Sequence, residues 1–236
     1  MAAIFVGIDL SDQAYIFATV NLEQTKVRKS LAFDLFELAR TRSPYKTCHN
    51  VAVGLDSVKE SPFFQRIKRL GTATPGRERE TITQSTFVDA LVRYISAEPK
   101  VDRDLLLRGE RLPLADTDTL KQLCFRNLFI RGEDVAIGRI IQNYFEAVRA
   151  KWPKAWDNFG EGAMLNKTNG FRALMAIFGH VYTFVAAPGQ MVAPNKFGDV
   201  FKRSKLKDED FNTERFKPGT SGEVKLRNEL MTELFG

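Results

Sequence analysis

The clearest amphipathic segment of the chain covers residues 133–152. Its apolar side chains recur at the three- and four-residue spacing that places them on one face of an α-helix. These side chains belong to Val135, Ile137, Ile140, Ile141, Tyr144, Phe145 and Val148. Pro153 follows directly, and a proline disfavours the helical conformation of the residue before it. Because such a helix must bury its apolar face against other elements, the segment predicts a packed helical core.

The same reasoning predicts further helices and little β-structure. Helices are predicted at residues 48–58, 63–70, 87–96, 117–129, 171–185 and 223–234, and extended segments at residues 1–8 and 81–85. The chain has 19 phenylalanines, and aromatic rings in such number are more typical of helix packing than of base stacking. The sequence therefore predicts an α+β protein that is predominantly α-helical, with the loop around Thr74-Pro-Gly-Arg77 exposed and mobile.

Charge and cysteine usage narrow the classes of partner. Lys and Arg outnumber Asp and Glu by 35 to 29, which gives a formal charge of +6 and suits a phosphate-bearing partner without requiring one. The two cysteines and two histidines lack the spacing of a metal site, so none is predicted. No stretch approaches the roughly 18 apolar residues of a membrane span. We therefore expect a cytoplasmic protein with no membrane partner.

Three segments carry a resemblance to a known family. Phe5-Val-Gly-Ile-Asp-Leu-Ser-Asp-Gln-Ala-Tyr-Ile-Phe-Ala-Thr-Val-Asn21, continuing to Leu31, is similar to the segment that follows the DGQHR motif in DGQHR-domain proteins. Leu165-Asn-Lys-Thr-Asn-Gly-Phe-Arg-Ala-Leu174 and Pro218-Gly-Thr-Ser-Gly-Glu223 extend the likeness along the chain. That family includes DndB-type proteins associated with DNA phosphorothioation and with modification or defence islands, and its N-terminal part resembles the ParB and sulfiredoxin fold.

The resemblance implies both a domain division and a partner. Residues 1–40 would form the C-terminal part of a ParB-like domain, as strand, helix, loop and helix, and residues 41–236 a mostly helical domain. The implied partner is DNA, and a nucleotide with Mg²⁺ is an open possibility for the complete protein. The chain has no DGQHR sequence, so we expect a fragment, a late-start gene or a split protein whose partner chain supplies that segment. Catalytic residues are therefore not carried over, and none is predicted.

The matching ParB-like segment implies phosphate contacts in the loop after the first helix. The candidates are Asn21, Gln24, Thr25, Lys26, Arg28 and Lys29. Amide and hydroxyl groups can hydrogen-bond phosphate oxygens, and the basic side chains supply charge. The alternative is a solvated loop in which Asn21 ends one helix and Ser30 caps the next.

Two secondary sets of candidates lie elsewhere. Thr168 and Asn169, with Arg172 one turn on, could present a helix N-terminus and a guanidinium to an anion, or form an ordinary helix start. A basic cluster could neutralise DNA phosphates or form a solvated face; it contains Arg66, Lys68, Arg69, Arg77 and Arg79. The segment Pro218-Gly-Thr-Ser-Gly222 has the composition of a phosphate-cradling loop but lacks the P-loop ending, which favours a capping turn.

Short acidic pairs, Asp102 with Asp104 and Asp116 with Asp118, could hold Mg²⁺, but such pairs are more typical of helix caps. The leading functional hypothesis is a DNA-associated accessory or regulatory protein of a prokaryotic modification or defence system. The alternatives are part of a nucleotide-hydrolysing or DNA-processing enzyme whose motif lies upstream or on another chain, and a protein-interaction scaffold that uses the apolar strand at residues 4–8.

Overall fold

The structure is a computed structural model that describes residues 7–23, 29–34 and 41–236. Within these ranges the chain forms helices α1 to α12 and one two-stranded parallel sheet. The helices are α1 Leu10–Glu23, α2 Lys29–Asp34, α3 Pro44–Ser57, α4 Gln84–Val92, α5 Pro99–Leu107, α6 Thr117–Gln122, α7 Arg126–Arg131, α8 Asp134–Lys151, α9 Pro153–Trp156, α10 Thr168–Val185, α11 Pro194–Phe201 and α12 Thr220–Phe235. The strands are β1 Ile67–Lys68 and β2 Ile82–Thr83. The predominantly helical fold with a small β component is confirmed.

The helix predicted at residues 63–70 is wrong, because this segment contains β1. Gln65 has a φ of 55°, a left-handed backbone that a continuous helix excludes. The backbone N–H of Ile67 then donates to Asp56 Oδ1 at 2.9 Å, and β1 pairs with β2 in parallel, Ile67 opposite Ile82. The buried carboxylate of Asp56 in α3 thus accepts a backbone N–H group that the predicted helix would have used within itself.

Several other helix boundaries also differ from the prediction. Residues 117–129 form two helices, α6 and α7, and between them the N–H of Phe125 donates to the carbonyl oxygen of Tyr94 at 2.9 Å. This hydrogen bond between distant segments uses a backbone N–H group from the middle of the predicted helix. Helix α4 begins at Gln84 rather than at residue 87, because the Thr83 hydroxyl caps it by accepting from Thr86 N at 3.2 Å.

Helices α8 and α10 supply much of an aromatic core. The Phe63 ring lies 4.7 Å from Phe145, 5.4 Å from Phe87 and 5.9 Å from Phe171, measured between ring centroids. The buried Tyr144 hydroxyl donates to the carbonyl oxygen of Leu174 at 2.8 Å, which links α8 to α10. Burial raises the pKa of this phenol, so it remains a neutral donor. The described phenylalanines of this cluster therefore act in packing.

Helices α10 and α12 pack side by side and run in the same direction. At their starts, the Asn169 amide donates to the carbonyl oxygen of Gly219 at 3.1 Å. At their ends, the rings of Phe184 and Phe235 lie 5.5 Å apart. Parallel neighbours bring two helix N-termini, and hence two partial positive charges, to the same end of the pair.

The segment assigned to a ParB-like element is described only in part. Residues 1–6 of the predicted strand lie outside the described residues. Helix α1 extends to Glu23, so Asn21 lies within the helix instead of ending it. Phe33 of α2 is buried and stacks on Tyr45 of α3 at 5.5 Å, which joins α2 to the core of the helical body. The division at residue 40 stays a prediction.

No helix within residues 7–23, 29–34 and 41–236 is both long and apolar enough to cross a membrane.

Candidate phosphate site at two helix starts

A surface cavity of about 420 Å³ lies where α10 and α12 begin. We call it the helix-start cavity. Three of the secondary candidates, Lys68, Thr168 and Asn169, line it together. Its other lining residues are Glu80, Thr81, Ala163, Met164, Lys167, Thr213, Phe216, Pro218 and Gly219. The structure therefore brings together candidates from β1 and from α10, and adds the loop that precedes α12.

Each of the two helices starts with a hydroxyl residue followed by a small polar residue and a glycine. These residues are Thr168-Asn-Gly170 in α10 and Thr220-Ser-Gly222 in α12. A Cβ added at Gly170 would lie closer than 3.0 Å to the carbonyl oxygen of Leu165. At Gly222 it would lie closer than 3.0 Å to the carbonyl oxygen of Lys217. Both glycines are therefore required because the preceding loop folds tightly over the first helical turn.

The tight loops leave both helix starts without a side-chain cap from the described residues. The first backbone N–H groups of a helix have no partner inside the helix, and together with the helix dipole they favour an anion. Residue Lys167 at the N-cap position of α10 and Gly219 at that of α12 both line the cavity. Two such starts at one cavity favour the binding of a phosphate group there.

Two lysines add positive charge at the cavity. Lys68 and Lys167 are both half-buried, and the Lys167 ammonium donates to the carbonyl oxygen of Gly160 at 3.1 Å. A backbone carbonyl leaves the ammonium charge in place, so both side chains can attract an anion. The cavity is therefore electropositive at its rim.

Glu80 is the acidic residue of the cavity, and its side chain is 1% exposed. Its Oε2 accepts from the N–H of Thr74 at 2.6 Å. Its Oε1 lies 3.5 Å from Arg77 Nη1 as an ion pair, but it accepts no hydrogen bond from the described residues. This oxygen has almost no accessible surface, so its partner is the Arg77 guanidinium and not a group inside the cavity.

Arg77 forms ion pairs with two buried carboxylates, whereas residues 72–76 of the same loop are exposed as predicted. Its Nη1 donates to Asp56 Oδ2 at 2.7 Å, and this hydrogen bond raises the pKa of the guanidinium. Asp56 also accepts from Ile67 N, and Glu80 holds Thr74, so the loop is fastened at both ends. Arg77 therefore positions the loop beside the cavity and is engaged by carboxylates of the protein itself.

The remaining members of the basic cluster have different surroundings. Arg66 is buried, donates to the carbonyl oxygen of Trp156 at 2.9 Å and pairs with Asp157 at 2.5 Å. Burial lowers the pKa of this guanidinium. Arg69 is half-buried. Its carbonyl oxygen accepts a hydrogen bond from the side-chain NH₂ group of Gln84 at 2.7 Å, in the amide orientation that gives both amide atoms a partner. Arg79 is exposed, with its guanidinium 5.6 Å from the Phe159 ring. The basic residues that are close together in sequence therefore lie in separate environments in the structure.

The candidates of the loop after α1 are only partly described. Gln24, Thr25, Lys26 and Arg28 lie outside the described residues, as does the side chain of Asn21. Lys29 is the first residue of α2, and its ammonium lies 3.6 Å from Asp89 Oδ2. It lines a second cavity, of about 480 Å³, together with Arg172.

This second cavity has charges of both signs. Arg172 lies 3.9 Å from Glu223, and Lys29 lies beside Asp89, so each basic candidate has an acidic neighbour. Paired charges at a surface attract an added phosphate less than unpaired ones do. The helix-start cavity is therefore the better candidate site.

The acidic pairs have structural partners. Asp116 caps α6 by accepting from Thr119 N at 2.8 Å, and this hydrogen bond lowers the pKa of its carboxyl group. Asp118 pairs with Lys121 at 2.7 Å. The buried Asp102 pairs with Arg126 through Nη2 and Oδ1 at 2.9 Å, and Asp104 pairs with Arg103 at 2.8 Å. The capping interpretation is correct for Asp116, while Asp102 forms a buried ion pair.

Sequence reasoning did not identify Lys167 or Glu80 as site residues. Lys167 immediately precedes the predicted candidate Thr168, so the N-cap position of the helix was the signal that could have identified it. Glu80 gives no local signal, because its exposure and partners depend on how the loop after β1 packs.

Comparisons of the chain with protein-family models, with curated proteins and with solved structures found no match. The resemblance to DGQHR-domain proteins therefore remains a hypothesis that rests on the three quoted segments.

Proposed function

We propose that the protein binds DNA phosphates at the helix-start cavity. The observation that carries the proposal is the convergence of two uncapped, parallel helix starts on one cavity, with Lys68 and Lys167 at its rim. Backbone N–H groups, helix dipoles and lysines each favour a phosphate, and here they act at the same place. Such contacts hold the DNA backbone and do not by themselves read its sequence.

The resemblance to DGQHR-domain proteins sets the wider context of this proposal. We propose an accessory or regulatory component of a prokaryotic DNA modification or defence system that works in the cytoplasm. Residues 1–40 would form part of a ParB-like element. The net charge of +6 supports a polyanionic partner.

Charge reversal at the two rim lysines tests the site. The double variant Lys68→Glu and Lys167→Glu is expected to weaken binding of a short DNA duplex by roughly tenfold or more at about 0.1 M salt. It should also reduce the slope of log affinity against log salt by about 2, since each lysine that contacts a phosphate contributes about 1. Fluorescence anisotropy at a series of salt concentrations measures both quantities.

The matched control reverses the same number of charges away from the cavity. Lys121 and Lys196 are exposed and do not line the cavity. Their double glutamate variant should change the salt slope by much less than the rim variant does. Equal effects of the two variants would show a diffuse electrostatic attraction in place of a site. A wild-type protein that does not bind duplex DNA at low salt would exclude the proposed function.

A further inference from the structure

Aromatic rings and guanidinium groups alternate along a row of four side chains, which we call the cation–aromatic stack. Its members are Trp156, Arg66, Phe159 and Arg79. The guanidinium carbon of Arg66 lies 5.4 Å from the centroid of the Trp156 ring and 4.8 Å from that of Phe159. The guanidinium carbon of Arg79 lies 5.6 Å from the Phe159 centroid. Because a guanidinium is planar and is attracted to the face of an aromatic ring, each member orients the next.

The stack runs from the interior of the protein to its surface. Trp156 and Arg66 are buried, Phe159 is half-buried and Arg79 is exposed. The inner end is fixed, since Arg66 also donates to the carbonyl oxygen of Trp156 at 2.9 Å. The outer end of the stack is therefore a planar cation in contact with solvent, held on a ring whose own position is set from below.

Arg79 differs from the other arginines of its segment in having no acidic partner. Arg66 pairs with Asp157 and Arg77 with Asp56, whereas Arg79 forms no ion pair with any residue that the structure describes. A guanidinium without a carboxylate retains its attraction for an added anion and keeps its planar surface available for stacking.

The outer end of the stack borders the helix-start cavity. Thr81, two residues after Arg79, lines this cavity. Gly160, the residue after Phe159, accepts a hydrogen bond at 3.1 Å from the ammonium of Lys167, which stands at the cavity rim. Since the Cα atoms of adjacent residues are about 3.8 Å apart, a strand with a phosphate at this rim passes beside the stack.

Such a neighbourhood matches an unpaired nucleic-acid strand better than a duplex. In a paired duplex both faces of each base are covered by its neighbours, so a base must leave the helix before a side chain can stack on it. A single strand presents a phosphate and an open base face together. Bases stack on aromatic rings and on the planes of arginine guanidinium groups, and basic grooves that follow the backbone use both.

We infer that an unpaired base of a DNA strand stacks on Arg79, at the outer end of the cation–aromatic stack, while a phosphate of the same strand lies at the helix-start cavity. The inference rests on the proposed function and deepens it, because it names single-stranded DNA as the form that gains an additional contact. Every base has a face that can stack, so this contact does not depend on base sequence.

The test compares two single strands that carry the same number of phosphates. One is an oligothymidylate, and the other has the same length but abasic sites in place of the bases. We expect the protein to prefer the oligothymidylate by roughly fivefold or more, the lower end of the effect of one stacked base. Equal affinity would overturn the inference, while salt-dependent binding of both strands would leave the proposed function intact. If neither strand nor a duplex binds at low salt, both are excluded.

Two variants locate the preference at the stack. Arg79→Lys keeps the positive charge but removes the planar group, so it should abolish most of the preference for the strand with bases. Phe159→Leu keeps apolar bulk but removes the ring that orients the Arg79 guanidinium, and it should lower the preference as well. A folded R79K or F159L protein with the full preference of the wild type would contradict the inference.

Arg131→Lys is the matched control for R79K. Arg131 is exposed in the last turn of α7 and does not line the helix-start cavity. The R131K protein should therefore keep the preference of the wild type. If R131K loses as much of the preference as R79K does, the preference is a general effect of exposed guanidinium groups, and the inference is overturned.

Discussion

Replacing Arg77 with alanine is expected to lower the free energy of unfolding by about 2–4 kcal/mol. The substitution leaves two carboxylates, those of Asp56 and Glu80, buried without the cation that faces both. Their side chains are 2% and 1% exposed, so water cannot replace the guanidinium without rearrangement. The expected loss of unfolding free energy is smaller than the loss for a fully buried ion pair, because the Arg77 side chain itself is 29% exposed. Urea unfolding followed by circular dichroism measures the loss.

Arg79→Ala is the control for this prediction, because it removes an arginine from the same loop. Arg79 is exposed and faces an aromatic ring at 5.6 Å, so its loss should cost less than about 1 kcal/mol. If R77A and R79A have equal stability, the network around Asp56 does not hold the loop.

Alanine at Gly222 is expected to destabilise the protein by about 1–3 kcal/mol and to weaken DNA binding. The added Cβ would overlap the carbonyl oxygen of Lys217, an atom of the backbone that can move only if the loop before α12 moves. The same argument applies to Gly170 and the loop before α10. Because these loops form the wall of the helix-start cavity, both variants should lose affinity as well as stability. The midpoint of urea unfolding and the anisotropy of a labelled duplex measure the two effects.

Gly198→Ala provides the matched control for the glycine variants. Gly198 lies inside α11, and a Cβ added there would meet no atom within 4 Å. In a helix interior, alanine is favoured over glycine by about 0.5–1 kcal/mol, so this variant should be as stable as the wild type or more so. A similar loss of stability at Gly222 and Gly198 would mean that the close approach of the loop before α12 does not set the requirement for glycine.

Local patterns predicted the central helices well. The apolar spacing of residues 133–152 and 171–185 corresponds to α8 and α10, because a one-sided apolar stripe is satisfied by burial against almost any partner. The pattern failed at residues 63–70, where Asp56, distant in sequence, accepts the N–H of Ile67. A hydrogen bond from another element cannot be read from periodicity, and it outweighed the helical preference of this short segment.

The candidate site was predicted in part. Thr168 and Asn169 followed from the helix start that they form, and Lys68 from its basic neighbours. The sequence could not show that Arg66 and Arg77 are engaged by Asp157 and Asp56, because these ion pairs link segments far apart in the chain. For the primary loop candidates, the residues from Gln24 to Arg28 lie outside the described part of the chain, and their role stays a prediction.

The amphipathic segment at residues 133–152 determined by itself that this chain would have a helical core, and the glycine-containing starts of α10 and α12 were also visible locally. Only the tertiary structure decided that these two starts meet, since Asn169 and Gly219 are 50 residues apart in sequence yet joined by a hydrogen bond. The physical reason is the parallel packing of α10 against α12. Helix direction depends on which apolar faces find each other in the core, and no local pattern specifies that choice.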